Sequence, residues 1–218
     1  MSLVTRKPRP LAREEGELRD TRLFIVACDD TYAPAQYFGF YQIPRIKVYV
    51  IPTIDGTSAA KHVLERLLSV EHEEDDELWM LLDTDHYIEE GHFQSFVQAL
   101  QEARQRGINV AISKPCFEFW LLIHHRDEQD VKHLRNAAET EAILRQTLGS
   151  YNKRALREEH FPVDSVVSAC QRAKVIDEPT AASDRPQANT SRVYRLWESV
   201  LAKSAPAQLP DEFKELFK

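Results

Sequence analysis

Residues 78–86 read Leu-Trp-Met-Leu-Leu-Asp-Thr-Asp-His, five apolar residues followed at once by an acidic segment. A short apolar run without polar alternation is typical of a strand that is buried on both faces. Runs at 23–28, 46–51 and 108–112 have the same character, and apolar residues at helical spacing lie between them. This alternation predicts an α/β fold with a mostly parallel, four-stranded sheet that is flanked by helices.

The rest of the chain predicts one domain between two terminal extensions. Residues 1–21 are charged, contain two prolines and lack periodicity, so we expect a flexible N-terminal arm. Residues 22–203 form a single α/β domain with a helical C-terminal part, and residues 204–218 form a C-terminal tail. A loop rich in Pro, Ser, Ala and Asp is expected at 177–190. The helices of the C-terminal part are expected at 131–148, 162–174 and 191–203.

Composition excludes several classes of protein. Against 28 Lys and Arg stand 35 Asp and Glu, a net charge of −7, which argues against a protein that coats nucleic acid by bulk charge. No apolar run reaches the roughly 20 residues of a membrane span, and no apolar signal-peptide core follows the first Met. The three cysteines match neither a disulfide framework nor a zinc pattern, so we expect a cytoplasmic protein with reduced thiols and no membrane attachment.

Acidic residues follow two of the predicted strands. Asp29 and Asp30 come after the first strand, and Asp83 and Asp85 come after the third. Ligands of an open parallel sheet bind outside the carboxyl ends of the strands, and residues two apart in extended chain point the same way. Carboxylates that converge repel each other unless a cation or a proton intervenes, and their hard oxygens suit Mg²⁺ or Mn²⁺. The alternative interpretation of the Asp-x-Asp segment is a solvated turn that begins a helix.

The predicted helix at 116–124 is apolar on all sides, which is typical of a buried helix, yet it contains Glu118. Glu118 either has a structural role, in the first turn or beside an Arg, or serves as a metal ligand or base. His124 is expected to be a satisfied histidine of the core. His86, next to the Asp-x-Asp segment, is the better candidate for acid–base catalysis.

Candidate phosphate contacts are few. Lys114, Lys153 and Arg154 are the basic residues that we expect to bind substrate, with a solvated surface as the alternative. The sequence has no Gly-rich phosphate loop, no G-x-S-x-G and no H-E-x-x-H motif. With only 6 glycines in the chain, a Rossmann dinucleotide site is not expected.

The order and spacing of several motifs resemble the RloB-like family over roughly residues 22–201. The most specific piece is Pro-Cys-Phe-Glu-x-Trp-Leu-Leu from residue 115, together with the Asp-x-Asp-His segment. The other matching pieces are FIVACDD from residue 24, GINVAIS from residue 107, Tyr151-x-Lys153, and NTSRVYRLWESVL from residue 189.

The resemblance implies a Toprim-like α/β fold in which three acids hold Mg²⁺ or Mn²⁺. Asp29 takes the place of the family's first-strand Glu, Asp83 and Asp85 match its Asp-x-Asp, and Glu118 and His124 match positions on its helix. The resemblance also implies a nuclease or nucleic-acid-processing role and an AAA-type ATPase partner. Such proteins are encoded beside these ATPases in prokaryotic restriction and anti-phage loci.

The chain departs from the family pattern after the first strand. The family usually has Cys-Glu-Gly-Glu-x-Thr-Glu, whereas residues 28–34 here read Cys-Asp-Asp-Thr-Tyr-Ala-Pro. Asp is one methylene shorter than Glu, and a displacement of about 1 Å can cost about a hundredfold in rate. Lys114 also replaces the Asn that usually precedes the proline.

Three hypotheses of function follow. The first is a Mg²⁺-dependent nuclease acting on DNA or RNA in anti-phage defence, with Asp29, Asp83 and Asp85 as metal ligands and Glu118 and His86 as further catalytic residues. The second is a non-catalytic effector or adaptor that docks on an AAA-type ATPase and keeps a degenerate acidic site. The third is a phosphohydrolase acting on nucleotides or other small phosphates. The pattern leaves open the choice between DNA and RNA and the oligomeric state.

Overall fold

A computed structural model of the chain describes residues 21–54, 56–85, 93–214 and 216. The four apolar runs form parallel strands, as the sequence predicts, and their order in the sheet is β2-β1-β3-β4. These strands are β1 (Arg22–Cys28), β2 (Ile46–Ile51), β3 (Glu77–Asp83) and β4 (Asn109–Lys114).

The predicted number of four strands is wrong, since the described residues include a fifth strand. This strand, β5 (Thr190–Ser191), pairs antiparallel with the end of β4. The sequence predicts that residue 190 ends a loop and that residue 191 begins a helix. A strand of two residues has no periodicity to detect, and its pairing is supported by the contact between Ser113 Oγ and Ser191 Oγ at 2.9 Å.

Helices cover both faces of the sheet. The first four helices alternate with the strands, as predicted, and the others follow β4. In the described residues the helices are α1 (Ala33–Gly39), α2 (Ala60–Leu68), α3 (Phe93–Gln105), α4 (Phe117–Ile123), α5 (Glu128–Val131), α6 (Ala137–Leu148), α7 (Val163–Asp177), α8 (Val193–Lys203) and α9 (Asp211–Lys214).

The helix expected at 131–148 begins later than predicted, since Val131 is the last residue of the separate helix α5. The chain leaves the helical path after α5, and α6 begins at Ala137. The side chain of Asn136 accepts a hydrogen bond of 2.9 Å from the backbone N–H of Glu139, which caps the start of α6. The cap formed by Asn136 therefore sets the start of the helix inside the range that the apolar pattern predicts.

Each central strand contributes to two cores. Along β1, Phe24 and Val26 pack with α1, α4, α7 and α8, whereas Ile25 and Ala27 pack with α2 and α3 on the other face. All four side chains are fully buried. This explains why the runs are apolar without alternation.

The described part of the predicted tail packs on the domain. Leu209 and Phe213 are buried, and the Phe213 ring stacks on Trp197 with 5.5 Å between centroids. Most of the predicted N-terminal arm, residues 1–20, lies outside the described residues. Within the described ranges, no helix has the length and apolar character needed to cross a membrane.

The strand order determines where a ligand can bind. From β1 the chain moves outward to β2 and then returns across β1 to β3. In open α/β sheets the crevice at such a reversal, outside the carboxyl ends of the strands, is the usual ligand site. Here that crevice lies between the ends of β1 and β3, where the acidic segments follow the strands.

Candidate functional site

A cleft of about 410 Å³ opens at the carboxyl ends of β1 and β3. Its acidic lining residues are Asp29, Asp30, Asp83, Asp85, Glu118 and Glu141. Its basic lining residues are Lys153 and Arg154. The sheet therefore brings the predicted acids of the first and third strands into one cleft, together with Glu118 of α4.

Asp29 reaches across from the end of β1 to the end of β3. Its Oδ2 accepts a hydrogen bond of 2.8 Å from the backbone N–H of Asp83. This contact is possible because β1 and β3 are adjacent parallel strands, and Cys28, the last residue of β1, is in register with Leu81 of β3. The first-strand acid is thus held against the Asp-x-Asp segment.

The Asp-x-Asp segment is attached to the end of β4. The backbone N–H of Thr84 lies 3.1 Å from the carbonyl oxygens of Ser113 and Pro115, and that of Asp85 lies 3.1 Å from the carbonyl of Pro115. These bonds fix the backbone that carries both aspartates. Asp83 ends β3, and Thr84 and Asp85 follow it in a bend and a turn that are tied to the end of β4.

The surroundings of Asp83 disfavour the charged form of its carboxyl group. Its side chain is buried, with 6% of the residue exposed, and its Oδ1 has no hydrogen-bond partner among the described residues. Burial, followed by the charges of Asp29, Glu118 and Asp85, raises the pKa of Asp83 well above its usual value, against an opposing backbone hydrogen bond from Phe117. Such a carboxyl group favours a bound proton or a nearby cation.

Glu118 lies in the first turn of α4 and is only 4% exposed. Tyr151 donates its hydroxyl to Glu118 Oε1 at 2.9 Å, and Lys153 Nζ lies 3.3 Å from the same oxygen. Burial, followed by the charge of Glu118, raises the pKa of Tyr151, so this hydroxyl stays protonated and donates. The buried glutamate is therefore satisfied by a tyrosine and a lysine, and the predicted structural alternative of an arginine partner is wrong.

Lys153 joins two acids from separate parts of the chain. Its Nζ lies 2.5 Å from Oδ2 of Asp30, in addition to its contact with Glu118. Burial lowers the pKa of Lys153, but the charges of Glu118 and Asp30 outweigh this effect and hold the pKa above its usual value. The lysine therefore remains charged and partly neutralises the cleft.

Asp30 also has a structural role that sequence reasoning missed. Its Oδ1 accepts hydrogen bonds from the backbone N–H groups of Tyr32 at 2.6 Å and Ala33 at 3.0 Å, where α1 begins. A signal was present, because an aspartate shortly before Ala33 and Pro34 is typical of a helix start. Tyr151 was visible only as the first residue of the Tyr-x-Lys motif.

Of the other predicted site residues, Lys114 lies apart from this group. Lys114 directs its Nζ at the carbonyl oxygens of Pro186 and Gln187, at 3.3 and 2.6 Å, and is absent from the described lining of the cleft. Burial lowers its pKa. His86 lies outside the described residues.

His124 belongs to the core, as expected from its apolar helix. Its Nε2 lies 3.1 Å from the hydroxyl of Tyr37 and its Nδ1 lies 2.8 Å from Oγ of Ser165. Burial, followed by the neighbouring His125 and Arg172, lowers the pKa of His124 well below its usual value. It is therefore a neutral, hydrogen-bonded histidine.

The acids of the cleft are candidate ligands for a divalent cation. In the described part of the chain, no group of three or more His, Cys, Asp or Glu side chains has the arrangement of a ready metal site. The donor chemistry nevertheless fits a hard cation, because the acids present only oxygen atoms and Asp83 has a buried Oδ1 without a hydrogen-bond partner. Asp29, Asp83 and Asp85 are the residues that such an ion would use.

Comparison with known proteins identifies a family for the chain. The family model described as RloB-like protein covers residues 24–200. No curated protein and no solved structure matches the chain. The matched range includes both acidic strand ends, α4 and Lys153.

Proposed function

Since the chain belongs to the RloB-like family, we propose that it is a Mg²⁺- or Mn²⁺-dependent nuclease that hydrolyses phosphodiester bonds in DNA or RNA. The observation that carries the proposal is the bond between Asp29 Oδ2 and Asp83 N at 2.8 Å, which brings the first-strand acid to the Asp-x-Asp segment. The proposal includes a Toprim-like identity for the sheet and a role in prokaryotic anti-phage defence.

In this proposal the residues of the cleft have separate roles. Asp29, Asp83 and Asp85 hold the cation, which when bound supplies an activated water and charge neutralisation at the phosphate. Lys153, charged and at the mouth of the cleft, contacts a phosphate oxygen. Glu118 orients Lys153, because the two side chains are 3.3 Å apart.

Two further residues have proposed roles at the edges of the site. Arg154 lines the cleft next to Lys153 and is placed to contact the nucleic acid on the solvent side. His86 directly follows the Asp-x-Asp segment in sequence and is the proposed group for proton transfer to the leaving oxygen. Lys114 has no role in the proposal, because its ammonium group binds backbone carbonyls away from the cleft.

The proposal is tested by cleavage assays with the purified chain. We expect Mg²⁺- or Mn²⁺-stimulated cleavage of labelled DNA or RNA that is abolished in the double variant Asp83→Ala, Asp85→Ala. The matched control is Asp130→Ala, since Asp130 is exposed on α5 and outside the cleft. Cleavage that survives the double variant would falsify the proposal, and mononucleotide hydrolysis without polymer cleavage would favour a small-molecule phosphohydrolase.

A second function is favoured by one observation. Lys153 already places a cation between Asp30 and Glu118, so the chain partly neutralises its own acids. This arrangement suits a non-catalytic effector or adaptor that keeps the acidic cluster for its fold and docks on an AAA-type ATPase. Co-purification of such an ATPase, with no metal-dependent cleavage by either protein or by the complex, supports the adaptor. Robust cleavage by the purified chain rules it out.

A further inference from the structure

We propose that Tyr32 and Arg154 form a stacking platform that binds an unpaired base of single-stranded nucleic acid at the rim of the acidic cleft. The inference rests on the proposed nuclease function, because it specifies which nucleic acid the same cleft accepts. Tyr32 is 38% exposed, and it lines the cleft together with Arg154. The guanidinium carbon of Arg154 lies 5.1 Å from the centroid of the Tyr32 ring.

The two side chains are held together by a third residue. Gln36 Nε2 donates to the carbonyl of Tyr32 at 3.0 Å and to the carbonyl of Lys153 at 2.9 Å. Gln36 Oε1 accepts from the backbone N–H of Leu156 at 2.9 Å. One glutamine on α1 therefore fastens the backbone on both sides of Arg154 to the backbone of Tyr32, so the platform is formed before a ligand arrives.

The platform is also fixed relative to the acids. Asp30 Oδ1 accepts from the backbone N–H of Tyr32 at 2.6 Å, and Oδ2 of the same residue pairs with Lys153 at 2.5 Å. Asp30 is thus bonded both to the backbone of Tyr32 and to the ammonium group of Lys153, and it is itself one of the acids of the cleft. A base on the ring would place the adjoining phosphate over the cleft, where Lys153 lies.

The chemistry of the platform favours an unpaired base. Bases of single strands stack on aromatic rings and on the planes of Arg side chains, with little dependence on sequence. The bases of a duplex are stacked on each other and are not available to such a surface. The acidic lining of the cleft also repels a duplex, which brings two phosphate backbones, more strongly than a single strand.

The chain offers a matched control for an exposed tyrosine beside a cation. Tyr49 on β2 is 45% exposed, and Lys47 Nζ lies 5.9 Å from the centroid of its ring. This pair does not line the cleft. A variant of Tyr49 therefore removes the same chemical group from a place where the proposal assigns it no role.

The test measures binding by the full chain with Ca²⁺ in place of Mg²⁺. Fluorescein-labelled oligo-dT and oligo-rU of about 12 nucleotides, and a duplex of the same length, are titrated by fluorescence anisotropy. We expect Tyr32→Ala and Arg154→Ala to weaken single-strand binding by at least about fivefold. Tyr32→Trp, which keeps an aromatic face, and the control Tyr49→Ala should bind like the unmodified chain. The dT and rU arms show whether DNA or RNA is preferred.

Three outcomes overturn the platform: no single-strand binding by the unmodified chain, duplex binding as tight as single-strand binding, or Tyr32→Ala binding that equals Tyr32→Trp binding. Cleavage assays on the same proteins separate this inference from the nuclease proposal. Binding that depends on Tyr32 without any cleavage contradicts the nuclease and supports the platform. Cleavage with an unchanged KM in Tyr32→Ala contradicts the platform and supports the nuclease.

Discussion

Lys153 and Asp30 form an ion pair with 2.5 Å between Nζ and Oδ2, in which the aspartate is buried and the lysine side chain is 42% exposed. The same ammonium group contacts the buried Glu118. A single lysine at the mouth of the cleft therefore compensates two carboxylates that water cannot reach freely. Its removal should reveal how much of the stability of the domain depends on charge balance in the cleft.

We predict that Lys153→Met lowers the free energy of unfolding by about 1–3 kcal/mol, because two buried carboxylates lose their cation. This range lies between the stability losses typical of exposed ion pairs and of buried ion pairs. Urea denaturation in EDTA measures the change. Lys132→Met is the control, since Lys132 is exposed and outside the cleft. If the cleft binds a divalent cation, added Mg²⁺ should raise the Tm of Lys153→Met more than that of the unmodified chain; equal shifts would count against a cation in the cleft.

We predict that Asp83→Asn stabilises the metal-free chain at pH 7 by about 1–2 kcal/mol. The substitution keeps the shape of the side chain and removes a charge that burial and the neighbouring acids disfavour. The same variant should lose metal-stimulated cleavage, as expected where function requires a destabilising group. Denaturation in EDTA at pH 7 measures the gain, and a variant less stable than the parent would contradict the electrostatic interpretation.

We predict that Asp177→Asn destabilises the domain by about 3–5 kcal/mol, because a buried carboxylate is lost from a group of donors. Asp177 accepts from Arg192 Nε at 3.0 Å, from Arg195 at 2.8 Å and from the hydroxyl of Tyr194 at 3.1 Å. Urea denaturation measures the loss. Asp184→Asn, which removes only an exposed pair with Arg104, should change stability by less than about 1 kcal/mol.

The stabilising effect of the Asp177 carboxylate is also predicted to depend on pH. Burial raises the pKa of Asp177, but the hydrogen bonds and charges of Arg192 and Arg195 outweigh burial and lower it overall. A carboxyl group with a depressed pKa in the folded state stabilises the protein above its unfolded pKa of about 3.9 and loses this contribution as the pH falls further. The difference in stability between the parent and Asp177→Asn should therefore shrink below about pH 4. A difference that is constant with pH would contradict the ion pair.

We predict that His124 stays neutral at pH 5 with its proton on Nδ1. Trp197 Nε1 donates to the hydroxyl of Tyr37 at 3.2 Å, so this hydroxyl donates in turn to Nε2 of His124. Ser165 Oγ donates to the carbonyl of Pro162 at 2.7 Å and is left to accept from Nδ1 of His124. The ¹⁵N chemical shifts of the imidazole report both the charge and the tautomer.

The same histidine should make the fold less stable in mild acid. The unfolded chain binds a proton on His124 below about pH 6.5, whereas the folded chain does not, so stability falls as the pH drops through this range. In His124→Gln the free energy of unfolding should depend less steeply on pH in this range. An imidazolium signal for His124 in the folded chain at pH 5 would refute the assignment.

The convergence of the acids was predictable, but the position of Lys153 was not. Asp29 and the Asp-x-Asp segment follow apolar runs, and the carboxyl ends of adjacent parallel strands meet at one edge of the sheet. Lys153 lies in a loop, and no periodicity links it to Asp30 or Glu118. Lys114 follows β4 directly, yet its side chain turns to the carbonyls of Pro186 and Gln187, a contact with no local sequence signal.

The two-residue strand β5 has a consequence for solubility. It covers the carboxyl end of β4, and the buried Asp177 ties it down through Thr190 and Arg192. An uncovered strand edge offers backbone groups to a strand of another molecule. Loss of the Asp177 side chain would therefore do more than lower the stability of the monomer. It would uncover the end of β4, where a strand of a neighbouring chain could pair and begin an aggregate.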